Sequence, residues 1–355
     1  MKILYAIQGT GNGHISRALE IVPILQKKGN VDVLVSASQW ELQTSFDIKY
    51  KLHGFGFIFG KKGGVDILRT YLNMDTSRLF SEIRELPVQK YDLVISDFEP
   101  VSAWACQLRK VPCIGLSNQA VTLHPLAPKP ESTDRIGKLI LEKYAPATAN
   151  YGFHFRRFDE NVYTPIIGKD VRETEIEKKD HIAVYLPSFD DERVINKLWQ
   201  YKDISFRIFS KKTKTAYRER NFWVLPADRR SFIRTVATSS GVITNAGFGT
   251  SAEALFLGKP LMVIPMKTQY EQHCNAAVLQ TMNVSVLPAF KRKHLYQLDE
   301  WLNKPVKVKV DYPDETELLL DKIITRHAGK RNNDFEYDTK LKYLHRLLRP
   351  TVPAV

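Results

Sequence analysis

The chain has 355 residues, 43% hydrophobic and 26% charged; this composition excludes a disordered or collagen-like polymer, and the length favours two domains over one core. No apolar run approaches the roughly 20 residues that span a bilayer. The three cysteines, Cys106, Cys113 and Cys274, lack ligand spacing and exclude a disulfide scaffold. The net charge of +13 favours anionic partners, whether nucleic acid, acidic lipid or phosphorylated substrates.

In chain order, KILYAI (2–7) reads as a strand. It meets glycines too soon to be a secretion signal, so a cytoplasmic chain with reduced thiols is expected. The stretch GTGNGH (9–14) follows, then a helix from Ile15 to Lys28 with Ile15, Ala18, Leu19, Val22 and Leu25 on one stripe. Pro23 should kink this helix, and Gly29 should end it. VDVLVSA (31–37) reads as a strand, 65–86 as a helix with Leu68, Leu72, Leu79 and Ile83 inward, and YDLVISD (91–97) as a strand. A short helix over Ala103–Arg109 and a strand at 111–117 come next, then a proline-marked loop at 121–135. Near-continuous apolar strands alternating with helices predict a parallel, doubly wound sheet. Charged residues 164–180 read as a linker, after which strands recur at 181–187, 205–210, 221–225, 241–247 and 259–265. The expected architecture is α/β, with two Rossmann-like, doubly wound domains facing a cleft. The expected boundaries are 1–165, 166–330 and a basic, helical tail, 331–355, packing back on the first domain.

The segment TNAGFGTSAEALFLGKPLMVIPMKTQYEQHCNAAVLQ (244–280) carries the most information. Gly247 and Gly249 open a short helix at Thr250–Leu257, Gly258 caps it, and a second helix begins near Gln269. A glycine turn feeding a helix N-terminus suits a pyrophosphate, because the backbone approaches closely and free N–H groups carry partial positive charge. Thr250 and Ser251 sit on that turn. Glu253 is placed to accept from ribose hydroxyls, and Glu271, Gln272 and Asn275 form a polar cluster suited to sugar hydroxyls. The same residues allow a plainer reading, since Thr250-x-x-Glu253 is also a capping box.

Residues 241–280 resemble the donor-site signature of GT-B glycosyltransferases, in the branch that holds MurG and the UDP-glucuronosyl and UDP-glucosyltransferases. Gly247, Thr250, Glu253-Ala254, Gly258-Lys259-Pro260, Pro265, Glu271-Gln272 and Asn275-Ala276 follow the family's order. Coarser similarity extends over about 1–330, because the GxGH near the N-terminus also belongs to the family; the whole chain looks most like a bacterial and archaeal subgroup. The strand end at LPSFDD departs from the family's glycine-rich loop, and Trp223 lies near the place of a base-stacking aromatic.

The resemblance implies an inverting transfer from a nucleotide sugar, a UDP-sugar by family, to a hydroxyl acceptor. It places Gly11, Asn12 and Gly13 at the cleft edge of the first sheet, His14 as general base and Asp97 as its orienting partner, with Glu99 as a weaker substitute. Loops 53–64 and 118–135 should choose the acceptor. A helix N-terminus and basic side chains can stabilise a departing diphosphate, so neither metal nor cofactor is expected. The positive charge adds a peripheral contact with anionic membrane and a lipid-linked or cell-envelope acceptor. A nucleotide-sugar epimerase or hydrolase is the alternative on this architecture. A basic nucleic-acid-binding module is the alternative in another class, but the basic clusters are scattered and no reading motif accompanies them. Asp190-Asp191 lacks a metal-site context, and His124, His154 and His273 read as surface or loop residues.

Overall fold

The computed structural model describes residues 1–10, 12–36, 44–55, 59–60, 64–65, 75–131 and 134–330. The first sheet comprises β1 (Lys2–Gln8), β2 (Asn30–Ser36), β3 (Tyr50–Leu52), β6 (Leu93–Asp97), β7 (Ile114–Leu116), β8 (Ala149–Phe153) and β9 (Val162–Tyr163). A separate antiparallel pair, β4 (Phe59–Gly60) and β5 (Gly64–Val65), lies between β3 and β6 in sequence. The first sheet runs β3-β2-β1-β6-β7-β8-β9, with all neighbours parallel. The order reverses between β1 and β6, which is where a doubly wound sheet opens a crevice at its strand ends. Residues 3–8 of β1 are buried, as expected of a strand covered on both faces.

The second sheet contains β10 (Ile182–Tyr185), β11 (Phe206–Ser210), β12 (Tyr217–Glu219), β13 (Phe222–Pro226), β14 (Gly241–Asn245), β15 (Leu261–Ile264) and β16 (Ser285–Val286). Its order is β12-β13-β11-β10-β14-β15-β16, parallel except for β12 against β13. The chain is therefore two doubly wound halves, as the strand pattern predicts.

Several boundaries differ from the sequence reading. The first helix starts at Asn12, not Ile15, and runs unbroken through Pro23 to Lys28; Pro23 lies on its exposed side. The stretch expected as helix over 65–86 has Val65 in β5 and a helix at Thr76–Glu85; Leu68 and Leu72 lie outside the described residues. The helix expected at Ala103 begins at Pro100, because Glu99 caps it. The expected loop at 121–135 contains the end of a helix, Asn118–Thr122, and the start of another, Arg135–Lys143.

Residues 164–180 are less solvated than a linker. They hold a short helix, Lys169–Arg172, and bury Ile167 and Val171 in a core shared by both halves. Phe155 and Phe248 meet in that core with ring centroids 4.8 Å apart. After the second sheet the chain returns to the first half. The helix Thr316–His327 packs Leu319, Leu320 and Ile323 into the core that holds Ile21, Val22 and Leu25. Lys28 bonds Asp321 at 2.6 Å, and the Tyr151 hydroxyl lies 2.9 Å from His327 Nε2. The basic stretch 331–355 lies outside the described residues.

Candidate active site

Strand register builds the first part of the site. Ile7 of β1 pairs with Asp97 of β6, so the turn after β1 and the helix Asn12–Lys28 start beside that carboxylate. His14 is in the first turn, with Nδ1 2.8 Å from Asp97 Oδ1. Asp97 is fully buried and His14 is 8% exposed. The His14 Nε2 has no hydrogen bond among the described residues and is not sealed from solvent. Gly11, the first residue of the expected cleft turn, lies outside the described residues, whereas Asn12 and Gly13 line a cavity between the two halves.

Sequence reasoning missed Arg17. Its Nη2 donates to Asp97 Oδ1 at 2.6 Å and its Nε to Oδ2 at 2.9 Å. Burial alone raises the Asp97 carboxyl, but Arg17 and His14 outweigh it and hold the group below the ordinary carboxylate value. Glu99 does not substitute for Asp97. Its two oxygens accept from Val101 N at 2.8 Å and Ser102 N at 2.6 Å, so it serves the helix at 100–109.

The second part of the site is the start of the helix Phe248–Phe256. Gly247 is its N-cap, and no side chain caps it. The capping box therefore does not form: Glu253 instead accepts from Arg229 Nη1 at 2.7 Å. A Cβ built on Gly247 or Gly249 would meet nothing within 4 Å, so packing does not require glycine at either position. Gly258 takes the left-handed φ of +63° after the helix, as a helix-ending glycine should.

Both halves line one cavity of about 960 Å³, with Asn12, Gly13 and Arg17 on one wall and Gly249, Thr250 and Glu253 on the other; His14 and Asp97 do not themselves line it. Glu253 is deeply placed; burial raises its carboxyl above the ordinary value although Arg229 pulls it down. Arg229 also bonds Asp170 at 3.0 and 3.1 Å. Ser251 does not line the cavity: it is buried, and its hydroxyl has no partner among the described residues.

The polar trio on the helix Tyr270–Thr281 is engaged within the protein. Glu271 accepts from Asn118 Nδ2 at 2.8 Å and from Gln119 Nε2 at 3.0 Å, which joins the two halves. Gln272 accepts from Met266 N at 3.0 Å, and Asn275 donates to Ala246 O at 3.0 Å. The Asn275 bond fixes the backbone just before the glycine turn, and the Gln272 bond fixes the backbone after β15.

Tyr185, Phe209 and Phe232 also line the cavity, with Phe232 5.3 Å from Tyr185 and 5.1 Å from Phe209 between centroids. Tyr185 and Phe209 lie at or near the ends of β10 and β11, where α/β sheets take ligands. Trp223 is 47% exposed on β13, with Arg207 over its ring, and it does not line the cavity. His154, expected as a surface or loop residue, follows the strand end at Phe153 outside any helix or strand but is buried, and burial pulls it down to about 4. Among the described residues no group of three or more His, Cys, Asp or Glu is arranged to hold a metal ion.

The profile of glycosyl transferase family 1 matches residues 1–304. A search of curated proteins finds no match. Among solved structures, UGT89C1 of Arabidopsis thaliana complexed with UDP aligns with a TM-score of 0.56 at 14% identity, covering 98% of each chain. The same enzyme complexed with UDP-L-rhamnose gives 0.53 at 13% identity, covering 92% of this chain and 94% of that one. MurG of Acinetobacter baumannii gives 0.55 at 16% identity, covering 91% and 99%. These likenesses make the fold GT-B.

Proposed function

The chain belongs to glycosyl transferase family 1 and is a glycosyltransferase, and on that premise we propose that it moves a sugar from a UDP-sugar to an acceptor hydroxyl with inversion and without a metal. One observation carries the reading: the helix turn that sets His14 on Asp97 contributes Asn12, Gly13 and Arg17 to the same cavity that the uncapped start of the helix Phe248–Phe256 bounds from the other half. His14 Nε2 takes the acceptor proton while Asp97 holds Nδ1. The acceptor oxygen attacks the anomeric carbon, and UDP departs from the opposite face. Both oxygens of Asp97 are bonded to Arg17 and His14, so this carboxylate is poorly placed to be a sugar nucleophile, which favours single displacement.

The departing diphosphate is met by the N–H groups at Phe248–Thr250, whose approach Gly247 and Gly249 leave open. Arg230 and Arg234, which also line the cavity, add positive charge. Glu253 faces the ribose, and Tyr185, Phe209 and Phe232 offer an apolar platform for the base. The UDP-bound relatives motivate the choice of nucleotide. The acceptor is lipid-linked or in the cell envelope, and the protein attaches peripherally to anionic membrane from the cytoplasm. Supporting this, the helix Arg135–Lys143 buries none of its residues; Ile136 and Leu139 are 56% and 55% exposed beside Arg135, Lys138 and Lys143.

The test is incubation with a panel of UDP-sugars and hydroxyl acceptors, with and without chelator, reading the anomeric configuration of the product by NMR. Inverted product at a chelator-independent rate is expected. Retention, or loss of rate with chelator, contradicts the mechanism.

A further inference from the structure

We infer that Arg17 is a positioning residue of the base: its fork on Asp97 fixes His14 with the proton on Nδ1, so that Nε2 faces the reaction as an acceptor. This rests on the reading of His14 as the base. No motif in the sequence points to Arg17, and no comparison assigns it a role.

Three groups converge on one carboxylate. Arg17 Nη2 and Nε lie 2.6 and 2.9 Å from Asp97 Oδ1 and Oδ2, and His14 Nδ1 lies 2.8 Å from Oδ1. Arg17 Nη2 is also 3.0 Å from His14 Nδ1. A guanidinium has donors and no acceptor, so two arrangements are possible. In one, Nη2 donates to a bare Nδ1; the ring proton then sits on Nε2, and the ring cannot accept from a substrate there. In the other, Nη2 and Nδ1–H both donate to Oδ1. The two-point fork favours the second, because it satisfies both carboxylate oxygens and keeps Asp97 anionic, and an anion at 2.8 Å draws the Nδ1 proton.

The same guanidinium, with Nη2 3.0 Å from Nδ1, holds the ring against Asp97 on that edge. The other groups facing this cluster do not replace it. The Tyr5 hydroxyl lies 3.4 Å from Asp97 Oδ2 and is neutral. Glu271, from the helix Tyr270–Thr281, acts on Arg17 through its negative charge. The Phe153 ring, 5.5 Å from the guanidinium carbon, covers it without charge. Arg17 also lines the cavity.

The experiment is 15N NMR of the full-length protein labelled with 15N-histidine, at one alkaline pH, assigning the His14 ring by its loss in His14→Gln. The wild-type ring should show the Nδ1–H tautomer. In Arg17→Gln, which loses the fork, the ring nitrogens should move away from the pure Nδ1–H signature toward a mixture of tautomers, and Arg17→Lys, which keeps the charge without the fork, should move them the same way by less. The tautomer is the readout that a purely structural arginine would not shift. An Nε2–H tautomer in the wild type, or an unchanged signature in folded Arg17→Gln, overturns the inference. If Arg17→Gln does not fold, the wild-type tautomer and Arg17→Lys decide. Turnover of UDP-sugar by His14→Gln is measured alongside: a wild-type rate there removes the base reading itself, whatever the tautomer.

Discussion

Gly249→Ala should raise stability and lower nucleotide affinity at once. Gly249 is the second residue of its helix, and an added Cβ meets no protein atom within 4 Å. Alanine loses less backbone entropy on folding than glycine, so the unliganded protein should gain about 0.5 kcal/mol and roughly 1–2 °C in Tm. The methyl group projects into the space where a diphosphate would approach the first-turn N–H groups. Displacing one charge-assisted bond costs about 1.5–3 kcal/mol, or roughly ten- to a hundredfold in UDP Kd. Thermal unfolding without ligand and calorimetric titration with UDP, on one preparation, read both quantities. The opposite signs are what distinguish a ligand-facing glycine from one needed by the fold. An unchanged UDP affinity, or a fall in stability matching the fall in affinity, refutes the reasoning.

Glu253→Ala should cost only about 1 kcal/mol of stability, because Arg229 keeps Asp170 at 3.0 Å, but should weaken UDP binding about tenfold or more; equal affinity removes its ribose role. His154 is pulled down to about 4, so the unfolded chain takes up its proton first and stability falls as pH drops from about 6.5 toward 4. That loss should reach up to about 3 kcal/mol and should shrink in His154→Gln, measured by urea unfolding at each pH. Vesicles of anionic lipid should carry the protein in flotation at low salt and release it at high salt, and Ile136→Ser with Leu139→Ser should reduce the carriage. No association at low salt removes the membrane proposal.

Strands such as KILYAI and LMVI are legible because each is a run of apolar residues that crosses a buried parallel sheet, whereas β3, β8, β9, β12 and β16 are two to five residues long and carry no such run. The glycine turn at 247–249 is legible because its signals are local: an apolar strand, two glycines and a helical segment follow one another directly. What was not legible depends on partners distant in sequence. Arg17 reads as an exposed position three residues after a histidine, yet its side chain is only 9% exposed because Asp97 arrives from another strand. Glu271 reads as a free polar group near the helix start, and its partners Asn118 and Gln119 come from the other half. The helix Thr316–His327 carries its own apolar stripe, but nothing local says that this stripe is buried against the first helix. Thr250-x-x-Glu253 misleads in the opposite direction: the pattern fits a capping box, and the pull of Arg229 on Glu253 defeats it.

The central claim is that His14 is the catalytic base, and His14→Ala tests it most directly. UDP release from the preferred UDP-sugar with its acceptor, UDP affinity and Tm should be measured together on the same folded preparation. The account predicts a fall in rate of about two to four orders of magnitude. UDP affinity should hardly move, because the glycine turn and Glu253 belong to the other half of the fold. A near wild-type rate in the folded variant would contradict the account.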